Sequence, residues 1–271
     1  MEIHYLNEAC EKISKSCDLE FGKNFSPLTE ANNLLIKNEK LNSEGMGVFG
    51  LQEMSTFDKL EKAVTGHLVK QLSCYQNVPS DFELSRYHHF LDNEDIHYKI
   101  STWALDYTAL GESYDLVKTQ IEEILHLKLK IKRIIHADKE GEYVGFRIIR
   151  PGKNDHNPFH RDSWIAYWQD TINIWLPICG FENGNGLQMV PQSHIWKDDE
   201  ILKTKAGVEI DGKKYHVSAA IGTVRDFNIV TPELSKGQAV IFSPYLIHGN
   251  GINRLQDTTR ASLEFRFCRA D

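Results

Sequence analysis

The hydrophobic pattern divides the chain into a helical first half and a strand-rich second half. Two segments, 55–75 and 113–130, place apolar residues three or four positions apart, which is the spacing of one face of a helix. In the first segment these residues are Phe57, Leu60, Val64, Leu68 and Leu72, and in the second they are Leu116, Ile121, Ile124 and Leu125. The spacing predicts that residues 1–135 are mostly helical and that both stripes pack into a core.

From about residue 142 the pattern changes to short runs of β-branched and aromatic residues bounded by Gly, Pro, Asn and Asp. These runs are 142–152, 171–178, 238–248 and 260–267. Their irregular spacing, without helical segments between them, argues against βαβ units and favours a sandwich or jelly roll. The polar stretch 195–236 is predicted to be a lid-like insertion, because it is too short for its own core. We therefore expect a single domain over 1–271, with helical support from 1–135 and a β core over 136–271.

Composition narrows the class of protein and its partners. The chain is 41% hydrophobic and 25% charged, as in globular proteins, and its net charge of −7 argues against a nucleic-acid partner. No apolar run is long enough to span a membrane, and the first residues lack the layout of a signal peptide. The 5 cysteines have no CxxC spacing, which is typical of reduced thiols. We predict a cytoplasmic protein that acts on a small molecule, without a membrane partner; the oligomeric state is left open.

A His-X-Asp motif lies in the segment NPFHRDSW, residues 157–164. On extended backbone, residues two apart point to the same side, so His160 and Asp162 share a face while Arg161 points away. One imidazole and one carboxylate on a common face are two parts of a facial metal triad, whose third ligand is a histidine from elsewhere. His-X-Asp also occurs by chance, so this motif alone is a weak signal.

The candidate for the third ligand is His248. It follows an apolar strand and precedes a Gly-Asn-Gly turn, in which glycine lets the backbone approach other chain segments closely. The alternative is a histidine that only forms structural hydrogen bonds.

The last predicted strand has one polar and one apolar face. Alternation places Arg260, Ser262, Glu264 and Arg266 on one side, and Ala261, Leu263, Phe265 and Phe267 on the other. The guanidinium of Arg260 can bind a carboxylate through two hydrogen bonds, and the hydroxyl of Ser262 can add a third. This pair would suit the distal carboxylate of a keto acid that chelates the metal at its other end. The alternative is an arginine that pairs with Glu264.

Taken in order, these motifs resemble the phytanoyl-CoA dioxygenase-like branch of the Fe(II)/2-oxoglutarate oxygenases. The resemblance covers 144–267. HRD at 160–162 corresponds to the family's HxD motif. The segment NGNGLQMVPQSH, residues 183–194, is similar to its NGxLxxxPGSH signature. The segment GQAVIFSPYLIHGNGINRLQDTTRASLEFRF, residues 237–267, resembles its closing stretch. Gln192 stands where the family usually has glycine. The resemblance implies an α+β protein with a double-stranded β-helix core (a cupin-like jelly roll) and surrounding helices, mainly from the N-terminal half.

The resemblance also implies roles for individual residues. His160, Asp162 and His248 would bind Fe(II). Arg260 would bind the C5 carboxylate of 2-oxoglutarate, with help from Ser262. Trp175 would line the co-substrate pocket, and Asn173 shares its strand face.

The reaction implied by the resemblance is hydroxylation of a C–H bond with O2 and 2-oxoglutarate as co-substrates, releasing succinate and CO2. Halogenases of this superfamily have Gly or Ala in place of the metal-binding carboxylate. Asp162 therefore favours hydroxylation, or a related desaturation or ring closure, over chlorination.

Residues that contact the substrate are harder to predict. Trp164 and Tyr167 follow the HxD motif and could line a substrate wall or belong to the core. Of two arginines on one strand, Arg150 is favoured over Arg147 to face the interior, either as a substrate contact or in a structural ion pair. His88 and His89 are expected to face solvent from a helix.

Three other functions remain open at this stage. The first is a cupin-like metalloenzyme that uses the same triad without a keto acid. The second is a non-catalytic binding or sensor protein on the same scaffold, and the third is a chance motif on an unrelated β fold.

Overall fold

The computed structural model describes residues 2–22, 28–91, 93–101, 104–136, 139–153, 155–210 and 213–270. The helices are α1 (Glu8–Ser14), α2 (Glu39–Glu44), α3 (Met54–Leu72), α4 (Tyr87–Phe90), α5 (Glu94–Ser101) and α6 (Glu112–Leu125). The first strands are β1 (His4–Tyr5), β2 (Leu19–Phe21), β3 (Met46–Gly50), β4 (Ala104–Asp106), β5 (Leu129–Ile131), β6 (Arg133–His136) and β7 (Lys139–Ile149). The remaining strands are β8 (Thr171–Cys179), β9 (Gln188–Val190), β10 (Ile201–Thr204), β11 (Val208–Ile210), β12 (Lys213–Tyr215), β13 (Ala220–Thr223), β14 (Gln238–Phe242), β15 (Ile247–Gly249) and β16 (Arg260–Arg269).

The main sheet is antiparallel and has the strand order β3-β14-β8-β16-β7-β4, with β5 paired to β16 and β6 paired to β7. Its central strand β16 has the predicted alternation. The side chains of Ala261, Leu263, Phe265 and Phe267 are 0% exposed and belong to the largest hydrophobic cluster. The other face of β16 is polar and, as described below, lies against the candidate site.

Helices α3 and α6 contribute to the same hydrophobic cluster as the apolar face of the main sheet. In α3 all five predicted stripe residues are buried. In α6 the prediction is wrong at Leu116, which is 46% exposed, because the buried stripe runs through Val117, Ile121 and Leu125 at spacings of four. None of the described helices is both long enough and apolar enough to cross a membrane.

Smaller sheets account for the remaining strands. One has the order β1-β13-β10-β2, β9 pairs with β15, and β11 pairs with β12. The first 135 residues therefore supply strands as well as helices: β1 and β2 join this four-stranded sheet, while β3, β4 and β5 join the main sheet. This differs from the expected helical support. Strands of two to five residues are too short to show a clear periodicity in the sequence.

The segment 195–236 also differs from the predicted lid-like insertion. All residues of β10 and β13 are buried, and the two strands pair with each other at the centre of the four-stranded sheet. This part of the segment is core, because its apolar side chains pack in one hydrophobic cluster with Leu6, Cys10 and Ile13. Strands from the N-terminus also pair with both of its edges. The same segment also contains the antiparallel pair of β11 and β12.

Candidate metal centre

Two short backbone segments bring the predicted histidines together. His160 and His248 exchange hydrogen bonds, with N···O distances of 2.9 Å from the His160 amide and 3.0 Å from the His248 amide. The next residue, Gly249, has φ of 136°, and a Cβ at this position would lie 2.3 Å from the Pro158 carbonyl oxygen. Only glycine permits this approach, as the Gly-Asn-Gly turn predicted.

The side chains of His160, Asp162 and His248 form a buried cluster, called here the His–Asp–His cluster. The distance from His160 Nε2 to Asp162 Oδ1 is 3.3 Å, and that from His248 Nε2 to the same oxygen is 4.0 Å. The three donor atoms therefore converge on one point. Two imidazoles and one carboxylate on one side of an ion are the ligands of a facial triad.

Hydrogen bonds hold both imidazoles with Nε2 directed at this point. His160 Nδ1 lies 2.8 Å from the Pro158 carbonyl oxygen, and His248 Nδ1 lies 2.9 Å from that of Leu246. A carbonyl only accepts, so each Nδ1 is the protonated nitrogen and donates. In a neutral imidazole with this tautomer the lone pair lies on Nε2, as in most histidines that bind metals.

The carboxylate of Asp162 is held through its other oxygen. Oδ2 accepts from Asn173 Nδ2 at 2.8 Å and from Arg266 Nη2 at 3.0 Å, which leaves Oδ1 facing the imidazoles. Burial opposes ionisation, but the charge of Arg266 and the adjacent histidines outweigh it, so the pKa of Asp162 lies well below its ordinary value. Asn173 thus contacts a candidate metal ligand rather than the co-substrate pocket, which corrects the prediction from its strand face.

Replacing Arg266 with Gln should lower metal affinity about 10- to 100-fold, because residues that orient a ligand contribute about this much. Fe(II) titration under anaerobic conditions measures the effect. The matched control is Arg147→Gln. Both arginines form an ion pair with Glu264, at 3.2 Å for Arg147 and 3.6 Å for Arg266, but Arg147 has no hydrogen bond to Asp162 among those of the described residues. Equal losses in both variants would contradict a positioning role for Arg266.

Arg260 lies in the cavity next to the His–Asp–His cluster. The cavity is lined by His160, His248, Trp175, Arg260 and Ser262, among other residues. Arg260 is buried and Nη2 donates to the Gly251 carbonyl oxygen, but Nη1 has no hydrogen-bond partner in the described structure. Burial without a carboxylate partner among the described residues lowers the pKa of Arg260 to about 10. An unpaired buried guanidinium is costly, so this geometry suits an anionic ligand. The alternative pairing with Glu264 is not observed.

Glu264 pairs instead with Arg147 from the neighbouring strand, and both residues line the cavity. The sequence favoured Arg150 over Arg147 for the interior, but Arg147 is the one of the two that lines this cavity. Arg147 faces the cavity because β7 pairs with β16 in a register that sets Arg147 opposite Ser262. Alternation could have indicated that one of the two arginines faces inward, but the choice depends on strand pairing.

The three predicted substrate residues do not line this cavity. Arg150 is buried in ion pairs, with Nε 2.9 Å from Asp155 Oδ2 and Nη2 2.6 Å from Glu94 Oε2, as the structural alternative proposed. Trp164 Nε1 donates to Asp198 Oδ1 at 3.2 Å, and Tyr167 donates to the Arg133 carbonyl oxygen. Trp164 and Tyr167 follow the metal motif in sequence, but a turn that begins at Asp162 carries them away from the cavity.

Arg161 points away from the cluster, as alternation predicted. Its Nη1 donates to Asp198 Oδ1 at 2.7 Å, and its Nη2 donates to the carbonyl oxygens of Ser193 and Trp196. Arg161 is thus a structural residue between two candidate ligands.

Gln192 occupies the turn where the resemblance expects glycine. Its φ of 64° lies in the left-handed region that glycine adopts most easily. The departure is therefore local, and the cluster geometry described above does not depend on it.

Comparisons with known proteins agree with these features. A family model described as "Phytanoyl-CoA dioxygenase (PhyH)" matches residues 59–261. No curated protein matches the sequence. Among solved structures, AviO1 from Streptomyces viridochromogenes Tue57 is similar at 12% identity and a TM-score of 0.51, over 89% of this chain and 96% of that one. This likeness supports a shared fold.

Two further structures are similar at lower TM-scores. EctD from S. alaskensis, solved with 2-oxoglutarate and 5-hydroxyectoine, has 13% identity and a TM-score of 0.49, over 93% of this chain and 84% of that one. EvdO2 from Micromonospora carbonacea var. aurantiaca, complexed with 2-oxoglutarate, has 14% identity and a TM-score of 0.49, over 92% and 94% of the two chains.

Proposed function

Because the chain belongs to the phytanoyl-CoA dioxygenase family, we propose that it is an Fe(II)- and 2-oxoglutarate-dependent dioxygenase that hydroxylates a C–H bond of a small molecule, with release of succinate and CO2. The observation that carries the proposal is the unpaired buried Nη1 of Arg260 in the same cavity as the His–Asp–His cluster. A metal site and an anion site in one cavity are what a chelating keto acid requires.

The residues present fit iron and 2-oxoglutarate. Two imidazole nitrogens and one carboxylate oxygen are the donor set of non-haem Fe(II) oxygenases, and they leave further coordination positions open. The hydrogen bonds to both Nδ1 atoms and to Asp162 Oδ2 supply the support that such ligands need. His160, Asp162 and His248 would hold the iron, while Arg260 and Ser262 would hold the C5 carboxylate of 2-oxoglutarate.

We infer that the β core is a double-stranded β-helix of the jelly-roll type. Two features support this inference. The strand pairs are antiparallel throughout the described sheets. In addition, Asn173 and Arg266 of the main sheet form hydrogen bonds to Asp162. His160, two residues before Asp162, pairs with His248 of β15, which is outside the main sheet. The candidate site therefore lies between two layers of strands.

In the proposed mechanism the bound iron, together with 2-oxoglutarate, supplies activation of O2 and oxidation of the C–H bond. The protein contributes binding, orientation and exclusion of water. Asn173 and Arg266 keep Asp162 ionised and expose one of its oxygens to the metal position. Arg260 would orient the keto acid by its distal carboxylate. The indole of Trp175, which is 3% exposed, forms an apolar wall of the cavity.

The function is tested by adding Fe(II) and 2-oxoglutarate to the protein under anaerobic conditions. We expect the weak visible charge-transfer band of the iron–keto acid chelate, and succinate after O2 is admitted. Bound metal without this band would contradict the proposal and favour a keto-acid-independent cupin-like enzyme or a sensor. The band without succinate would also contradict the proposed dioxygenase activity and favour a non-catalytic binding protein.

We propose that the substrate is a small molecule and that the protein is cytoplasmic. The cysteines Cys10, Cys17, Cys74, Cys179 and Cys268 are free thiols, which suits a reducing compartment. The ion pair of Arg147 and Glu264 in the cavity supports a substrate with polar groups.

A further inference from the structure

A second cluster of metal-binding side chains lies outside the proposed active site. His88, His89 and Asp257 have donor atoms within 4.8 Å of one another. His88 Nε2 lies 3.0 Å and His89 Nε2 lies 2.6 Å from the same atom, Asp257 Oδ1. None of the three residues lines the cavity next to the His–Asp–His cluster.

The two imidazoles converge although they are neighbours on α4. Consecutive residues of a helix point about 100° apart, because a turn contains about 3.6 residues. The rings of His88 and His89 nevertheless lie 4.2 Å apart between centroids, with 36° between their planes. Both therefore turn toward the loop before β16. The prediction that they simply face solvent describes His89, whose side chain is 50% exposed, but not His88, at 15%.

The ring of His88 is held in place by a buried hydroxyl group. Its Nδ1 lies 2.8 Å from the hydroxyl oxygen of Thr259, which is fully buried, and its backbone amide donates to the same oxygen at 3.2 Å. The Thr259 hydroxyl can donate to Nδ1 or accept from it, so it can hold the ring in either tautomer. Nε2 donates to Asp257 Oδ1 at 3.0 Å, and a metal ion would take the place of that proton between the two side chains.

We propose that His88, His89 and Asp257 form a surface site for a divalent transition-metal ion of the zinc class. Imidazole nitrogens and carboxylate oxygens are zinc ligands. Three protein ligands and one water molecule can complete the four-coordinate shell of Zn²⁺. Asp257 and His89 are exposed, so small side-chain rotations suffice to surround an ion. The alternative is a hydrogen-bonded His–Asp cluster that binds no metal.

The site would join two parts of the chain that are distant in sequence. His88 and His89 belong to α4, while Asp257 lies in the loop that leads to Thr259 and Arg260. The Thr259 amide also donates to the Ser85 carbonyl oxygen at 2.6 Å, so the segment before α4 and this loop are already in contact. A metal ion would add a cross-link next to the strand that carries Arg260, and would stabilise the folded protein by mass action.

The site is tested by Zn²⁺ titration of a His160→Ala/His248→Ala background, in which the His–Asp–His cluster no longer competes for the ion. We expect one equivalent of Zn²⁺ to bind and to raise the Tm. Adding Asp257→Asn or His89→Ala should lower this affinity about 10-fold or more. The matched control is His4→Ala. His4 Nε2 lies 3.8 Å from Asp226 Oδ1, and this surface pair contains one histidine where the proposed site has two. This control should retain the zinc.

Absence of zinc binding in this background, or equal binding in the Asp257→Asn and His89→Ala variants, would overturn the proposal. Should the background fail to fold, as judged by circular dichroism, His89→Ala is tested alone. It should then lower the zinc stoichiometry by one equivalent relative to the unsubstituted protein, and an unchanged stoichiometry would overturn the proposal. The result is independent of the proposed oxygenase function, which has its own readout in the charge-transfer band.

Discussion

Replacing His160 with alanine should abolish succinate formation and weaken Fe(II) binding by roughly 100-fold or more. Residues that only orient metal ligands contribute about 10- to 100-fold in affinity, and loss of a ligand should cost at least as much. The geometry supports this expectation, because His160 Nε2 lies 3.3 Å from Asp162 Oδ1 and faces the proposed metal position, while Nδ1 donates to the Pro158 carbonyl oxygen. Anaerobic Fe(II) titration and a succinate assay measure the two effects.

The neighbouring residue provides the control for this experiment. Arg161→Ala should leave metal affinity nearly intact in the folded protein, since Arg161 binds Asp198 on the opposite side. It should also lower the free energy of unfolding by about 3–5 kcal/mol, because Asp198 would remain buried without its partner. Arg161→Lys retains a cation near Asp198 and serves for the metal titration if the alanine variant unfolds. Equal loss of metal affinity in the His160 and Arg161 variants would contradict the alternation of this segment.

Replacing Arg260 with alanine should raise the 2-oxoglutarate concentration needed for half-maximal activity by about 30-fold or more. Loss of one partner of a buried, hydrogen-bonded charge pair costs about 2–5 kcal/mol. Arg260 is 4% exposed and its Nη1 has no hydrogen-bond partner in the described structure, so the keto acid would supply that partner. Titration of the charge-transfer band with 2-oxoglutarate measures the change in affinity without turnover.

Two comparisons make this result specific to the carboxylate. Ser262→Ala should weaken 2-oxoglutarate binding much less, by about 0.5–1.5 kcal/mol, because it removes one neutral hydrogen-bond donor. Fe(II) affinity in the absence of the keto acid should stay at the wild-type value in Arg260→Ala, since Arg260 has no hydrogen bond to the His–Asp–His cluster among those of the described residues. Loss of the metal in this variant would mean that Arg260 supports the metal site instead.

Local patterns were sufficient for several parts of the protein. The stripe of α3 and the alternation of β16 follow from spacing along one element, because side-chain direction is set by the backbone of that element alone. The order HxD, distal histidine, arginine strand likewise predicted His160, Asp162, His248 and Arg260. In the structure Asp162 lies beside both histidines, and His160, His248 and Arg260 line one cavity. The stripe and the alternation needed only which side of its own segment a residue occupies, whereas the four site residues depended on the order of the motifs along the chain and on the family resemblance.

Other features depend on which strands pair. Arg147 rather than Arg150 reaches the cavity because its strand pairs with β16 in a particular register. Asn173 and Arg266 meet at Asp162 only because the main sheet faces the segment that carries the HxD motif. The short strands β10 and β13 are core because their apolar side chains pack in one hydrophobic cluster with N-terminal residues. In the same way, His88 and His89 face Asp257 across a long stretch of sequence.

The sequence by itself therefore determined the residues of the proposed metal and keto-acid sites and the face of each strand on which they lie. Only the tertiary structure decided which residues support them, which arginine shares the cavity, and which segments are core. The physical reason is that periodicity records the direction of a side chain relative to its own backbone. A contact between segments depends on sheet register and layer packing, which no single segment encodes.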